Sequence, residues 1–138
     1  MKKIVAPLKS IAVRAGIVLI AAGLVGVWLA PAAKWNRLIR PYYEQVADLM
    51  DQADKVLQEG SQPDASVNVA ATANFLGIEL VWNIGPVPAC AYLGVLHLRT
   101  TLDIIERTFP SGMDTYRETM LKLARGHLEA AREDVFCP

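Results

Sequence analysis

Two cysteines, two histidines and one carboxylate in apolar company are the side chains of this sequence best suited to chemistry. Cys90 and Cys137 could form a disulfide, His97 and His127 could ligate a metal from facing helices, and Glu79 could act as a buried acid with a raised pKa. The surrounding spacings argue against most of this. No carboxylate stands three residues before either histidine, so the Glu-x-x-His pairs of a di-iron bundle are absent. There is no C-x-x-C, no C-x-x-C-H, no H-E-x-x-H, no G-x-S-x-G and no P-loop. The chain therefore reads as non-catalytic, with no metal, cofactor or small-molecule substrate. The histidines read as ordinary packing or surface residues, and Glu79 as hydrogen-bonded to Asn83, Thr72 or a neighbouring helix.

The cysteines are the exception. If the segments on either side of Pro110 form an antiparallel helical hairpin, Cys90 lies ~27 Å from the turn. The returning helix climbs a similar distance by about residue 131, and the tail can bring Cys137 to the same end. A disulfide is expected if this part of the chain reaches an oxidising compartment.

The N-terminal third supplies a route to one. Ala15 to Ala33 contains no charged residue and as a helix would span ~28 Å, close to the ~30 Å hydrocarbon core of a bilayer. Lys2, Lys3, Lys9 and Arg14 precede it, and Lys34, Arg37 and Arg40 follow before any acid appears. Trp28 and Trp35 stand near its outer end, where aromatic rings favour the interface. The expected organisation is a cytoplasmic basic segment 1–14, a transmembrane signal anchor 15–33 and an extracytoplasmic domain 34–138. The expected localisation is the plasma (inner) membrane, single-pass, with the N-terminus inside. Ala30-Pro31-Ala32 offers the rival reading of a cleaved signal peptide, which exports the same residues. Ala22, Gly26 and Ala30, four apart, form a small-residue ridge for membrane helix pairing.

Hydrophobic residues make up 53% of the 138, high for an ordinary soluble domain. The net charge of zero hides a split: residues 1–40 are purely basic, so the remainder is acidic. That suits anionic lipid near the N-terminus and argues against nucleic acid.

Prolines and glycines divide the C-terminal hundred residues into four helical stretches, about 41–59, 64–84, 88–108 and 113–134. The fold class is all-α: an N-terminal membrane helix and a small bundle of about four helices. In the first stretch Val46, Leu49, Ala53 and Val56 repeat at three-four spacing, continuing back through Tyr42, Ile39 and Trp35, opposite an acidic face from Glu44 to Glu59. In the fourth, Met113, Tyr116, Met120, Ala124, Leu128, Ala131 and Val135 form the stripe, and Ser111 and Asp114 have the form of a helix start.

The second stretch is apolar on two opposite faces. Val69, Ala73, Leu76, Leu80 and Ile84 line one; Val67, Ala71, Phe75, Ile78 and Trp82 line the other. Such a helix is sandwiched between neighbours, and the second set is assigned to a partner. The corner "NIGPVP" after it is not read as the bend of a membrane hairpin. Glu79 would sit in one span, and the other would have only thirteen residues before Arg99.

These features suggest a non-catalytic single-pass membrane protein, a structural or interaction subunit that meets lipid and other membrane subunits or itself. The alternative is a tethered inhibitor or immunity-type protein whose acidic helix contacts a basic partner.

Overall fold

The structure, a computed structural model, describes residues 5–60 and 63–138, with side chains from residue 31 onward. The described residues form four α-helices and one short 3-10 turn, with no strand: α1 (Val5–Gln58), α2 (Pro63–Asn83), the 3-10 turn Ala89–Ala91, α3 (Tyr92–Thr108) and α4 (Asp114–Asp134). The chain divides into two compact units between Lys34 and Trp35.

Among the described residues no helix is long and apolar enough to cross a membrane. The side chains of 15–30, which make up most of the expected anchor, lie outside the described residues, as does the pairing ridge Ala22, Gly26 and Ala30.

The second unit is a four-helix bundle in which α2 and α4 run opposite to the 35–58 part of α1 and to α3. Asn74 of α2 donates to Glu106 Oε1 of α3 at 2.9 Å, and Arg125 of α4 forms an ion pair with Asp54 of α1. The core is layered from Ile39, Val46, Leu49 and Met50 of α1, Val69, Leu76 and Leu80 of α2, Val95, Leu98, Leu102 and Ile105 of α3, and Leu121, Ala124 and Leu128 of α4. Each set recurs at three and four residues, the spacing that keeps one helical face inward.

The observed helix starts differ from the sequence reading in three places. Pro41 does not open a helix but lies inside α1. A proline there removes one backbone bond. The buried stripe, with Trp35 and Ile39 upstream of Pro41 and Val46 downstream, carries the helix through it. Pro88 is extended (φ −66°, ψ 150°), so the third stretch opens as a 3-10 turn and becomes α-helical only at Tyr92. The Ser111–Asp114 start does not form. Met113 is the N-cap, and Ser111 Oγ instead accepts from the Met113 N–H at 3.4 Å.

The face of α4 is also rotated at its beginning. Met113 and Tyr116 are exposed, and Arg117 and Leu121 take the inward positions. Arg117 Nη2 donates to the Phe109 carbonyl at 2.7 Å, at the C-terminus of α3. An inward arginine meets an otherwise orphaned helix-end acceptor there, which an apolar side chain could not do.

"NIGPVP" is a corner between α2 and α3. Gly85 has φ +65°, a conformation that side chains with a Cβ rarely adopt, and the two prolines after it supply no backbone N–H.

Candidate functional site

At the end of the bundle where α1 enters, the C-terminal tail is locked in place. Cys90 and Cys137 form a disulfide across a sequence separation of 47, with Cα atoms 5.4 Å apart. Asn36 grips the same cysteine through both ends of its amide: Nδ2 donates to the Cys137 carbonyl at 2.8 Å, and Oδ1 accepts from the Cys137 N–H at 2.7 Å. Trp35 Nε1 donates to the Val135 carbonyl at 2.8 Å. Phe136 lies under the Arg40 guanidinium and edge-on to Tyr43. Burial raises the Tyr43 phenol above its ordinary pKa; the Arg132 charge opposes the shift and Glu129 adds to it. Gly94 lets the end of α4 approach α3 closely. Asn36 and Gly94 were not anticipated. Gly94 stands one turn after Cys90, a spacing that could have flagged it; the sequence carries no signal for Asn36.

His97 and His127 meet across α3 and α4, with Nδ1 atoms 2.9 Å apart. The ring centroids are 5.2 Å apart, so the nitrogens point nearly head-on along the line between the rings. That is the arrangement of one N–H···N hydrogen bond, with one ring donating and the other accepting. A shared metal needs both lone pairs to converge on a third point ~2.0–2.1 Å from each nitrogen, which these rings do not do. Among the described residues no three His, Cys, Asp or Glu side chains gather as a metal site.

Glu79 accepts from Asn83 Nδ2 one turn along α2, while the Thr72 hydroxyl donates to the Asn68 carbonyl instead. Glu79 is half-buried rather than enclosed. A groove of about 420 Å³ runs between α1 and α4 and is lined by Asp54, Leu57, Glu118, Leu121, Lys122 and Arg125. Its charges pair with one another, Arg125 with Asp54 and Lys122 with Glu118, so it presents no converging polar groups to a ligand.

The notable surface is on α2. Its Val69, Ala73, Leu76, Leu80 and Ile84 face the core, and its Val67, Ala71, Phe75, Ile78 and Trp82 face outward. Phe75 is 60% exposed and Trp82 80%. Beyond the corner, α3 also exposes Tyr92, Leu93 and Leu96. Large apolar side chains so grouped mark contact surfaces. The α3 part was not anticipated, although Leu80 to Leu98 contains no Asp, Glu, Lys or Arg.

Comparison with known protein families, with curated proteins and with solved structures finds no match.

Proposed function

We propose that this chain is a non-catalytic, single-pass membrane protein whose bundle is an extracytoplasmic interaction module, a subunit of a larger membrane complex. The outward face of α2 carries this reading: Phe75 and Ile78 lie at the centre of an apolar stripe with no covering element among the described residues. Large aromatic side chains in such a position are favoured interface anchors. The charge-free run 15–33 with basic flanks supports the anchor, and the Cys90–Cys137 disulfide supports an oxidising compartment.

A photo-reactive phenylalanine analogue at Phe75, in the full chain in its native membrane, tests the reading. Capture of one discrete membrane-protein partner, or of a second copy, supports it. A cross-linking pattern no different from that of the analogue at Glu44, on the acidic face of α1, removes it. If the Glu44 position instead captures a basic partner, in a way lost at high salt, the inhibitor reading takes its place.

A further inference from the structure

We propose that the α2–α3 corner, with Trp82, Tyr92 and Leu93 at its rim, seats in the headgroup region of the lipid bilayer. The inference rests on the anchor reading of 15–33. It deepens that reading by assigning Trp82 to lipid and leaving Phe75 and Ile78 to protein.

The corner is at the tethered end of the bundle. Trp35, the first buried residue of the second unit, bonds Val135; Asn36 bonds Cys137; and Cys137 is bridged to Cys90, next to the corner. The charge-free run ends at Ala33, only two residues before Trp35. Two residues reach at most ~7 Å, so an anchored chain holds this end at the membrane surface.

The residue types suit that place. Trp82 is 80% exposed, Tyr92 62% and Leu93 58%, with Val81 and Leu96 exposed beside them. Tryptophan and tyrosine have amphipathic rings that favour the interface. Leu96 lies ~9 Å along the helix from Cys90, within the ~5–10 Å by which interfacial elements sink. No Asp, Glu, Lys or Arg from Leu80 to Leu98 need be dehydrated. Exposed Arg37, at the start of the bundle, suits anionic headgroups. The end of α4 carries exposed Glu133 and Asp134, so the bundle touches lipid by its α2–α3 edge and keeps α4 in water.

Brominated phospholipids test this in the full chain, reconstituted in phosphatidylcholine–phosphatidylglycerol vesicles. Trp82 fluorescence is the difference between wild type and Trp82→Phe; Trp28 fluorescence is obtained in the same way with Trp28→Phe. The expected result is that the Trp82 component loses most of its intensity to bromine near the headgroups and little to bromine near the chain ends. A Trp82 component quenched only by aqueous iodide, by neither agent, or mainly by deep bromine overturns the proposal, showing respectively water, a protein contact or a re-entrant hairpin. The Trp28 component separates the two readings. If bromine quenches Trp28 but not Trp82, the corner proposal fails and the anchor stands; if it quenches neither, both fail.

Discussion

Gly94 lies so close to Val135 that a Cβ built on it would fall 2.2 Å from the Val135 backbone nitrogen. The obstructing atoms are backbone, held by the Trp35 bond to the Val135 carbonyl and by the disulfide two residues further on. Gly94→Ala must therefore push α3 and the end of α4 apart. Overpacking of this kind costs about 1–3 kcal/mol. Gly126, inside α4, has nothing within 4 Å of its Cβ position and no unusual φ. Gly126→Ala should raise stability by about 0.5–1 kcal/mol. Thermal unfolding of the two variants in mild detergent should move in opposite directions; a common direction would refute the close approach.

The tail lock makes a second prediction. Closing a loop with a separation of 47 residues contributes about 4 kcal/mol in the chain-entropy model. Thiol-blocked protein should show no free cysteine, since both are bridged. Reduction should lower the unfolding midpoint. Asn36→Leu, which removes both amide contacts with Cys137, should add about 1–3 kcal/mol of destabilisation. Its effect should shrink once the disulfide is reduced, because both act on the same segment. Equal effects with and without reductant would show that they act independently.

Arg117 is buried, donates to the Phe109 carbonyl, and lies with its guanidinium carbon 5.8 Å from the Phe109 ring centroid. Arg117→Lys keeps the charge but loses the planar fork and should cost about 1.5–3 kcal/mol. Asp114, its neighbour at 3.8 Å, is almost fully exposed, and exposed pairs contribute little. Asp114→Asn should therefore leave chemical denaturation nearly unchanged. A larger loss for Asp114→Asn than for Arg117→Lys would mean that the ion pair, not the helix-end cap, matters.

The sequence was most legible where periodicity and punctuation agree. Helices α2, α3 and α4 follow the apolar repeat between Pro63, the Gly85–Pro88 corner and Pro110, and the hairpin places Cys90 near Cys137. Legibility failed where one residue serves a distant one. Nothing local marks Asn36, whose partner is 101 residues away. Arg117 breaks the apolar stripe of α4 because the carbonyl it caps belongs to α3. Pro41 marks a helix start by local rules but is overruled by packing on both sides of it. The two faces of α2 were both visible in the sequence. Which of them is inward depends on neighbours that periodicity cannot name.

Adjacent residues on α2 give the most direct test of the interaction reading. Leu76 is 5% exposed and Phe75 60%, so the same helical turn holds one core residue and one surface residue. Truncating a buried leucine removes transfer energy and leaves a cavity, so Leu76→Ala and Leu80→Ala should each cost about 2–5 kcal/mol and lower the melting temperature. Phe75→Ala leaves no cavity in the bundle and should change stability by under about 0.5 kcal/mol. If Phe75 anchors a partner, its truncation should instead weaken association by about 2 kcal/mol or more, roughly thirtyfold in affinity. Trp82→Ala should likewise spare the fold, since its ring is largely outside the core. Melting curves and co-purification in mild detergent, run on the same four variants, separate the two effects. If Phe75→Ala melts as early as Leu76→Ala, the outward face is core and the interface lies elsewhere. If Phe75→Ala changes neither melting nor co-purification, the face is exposed but unused, and the interaction function proposed for it is wrong.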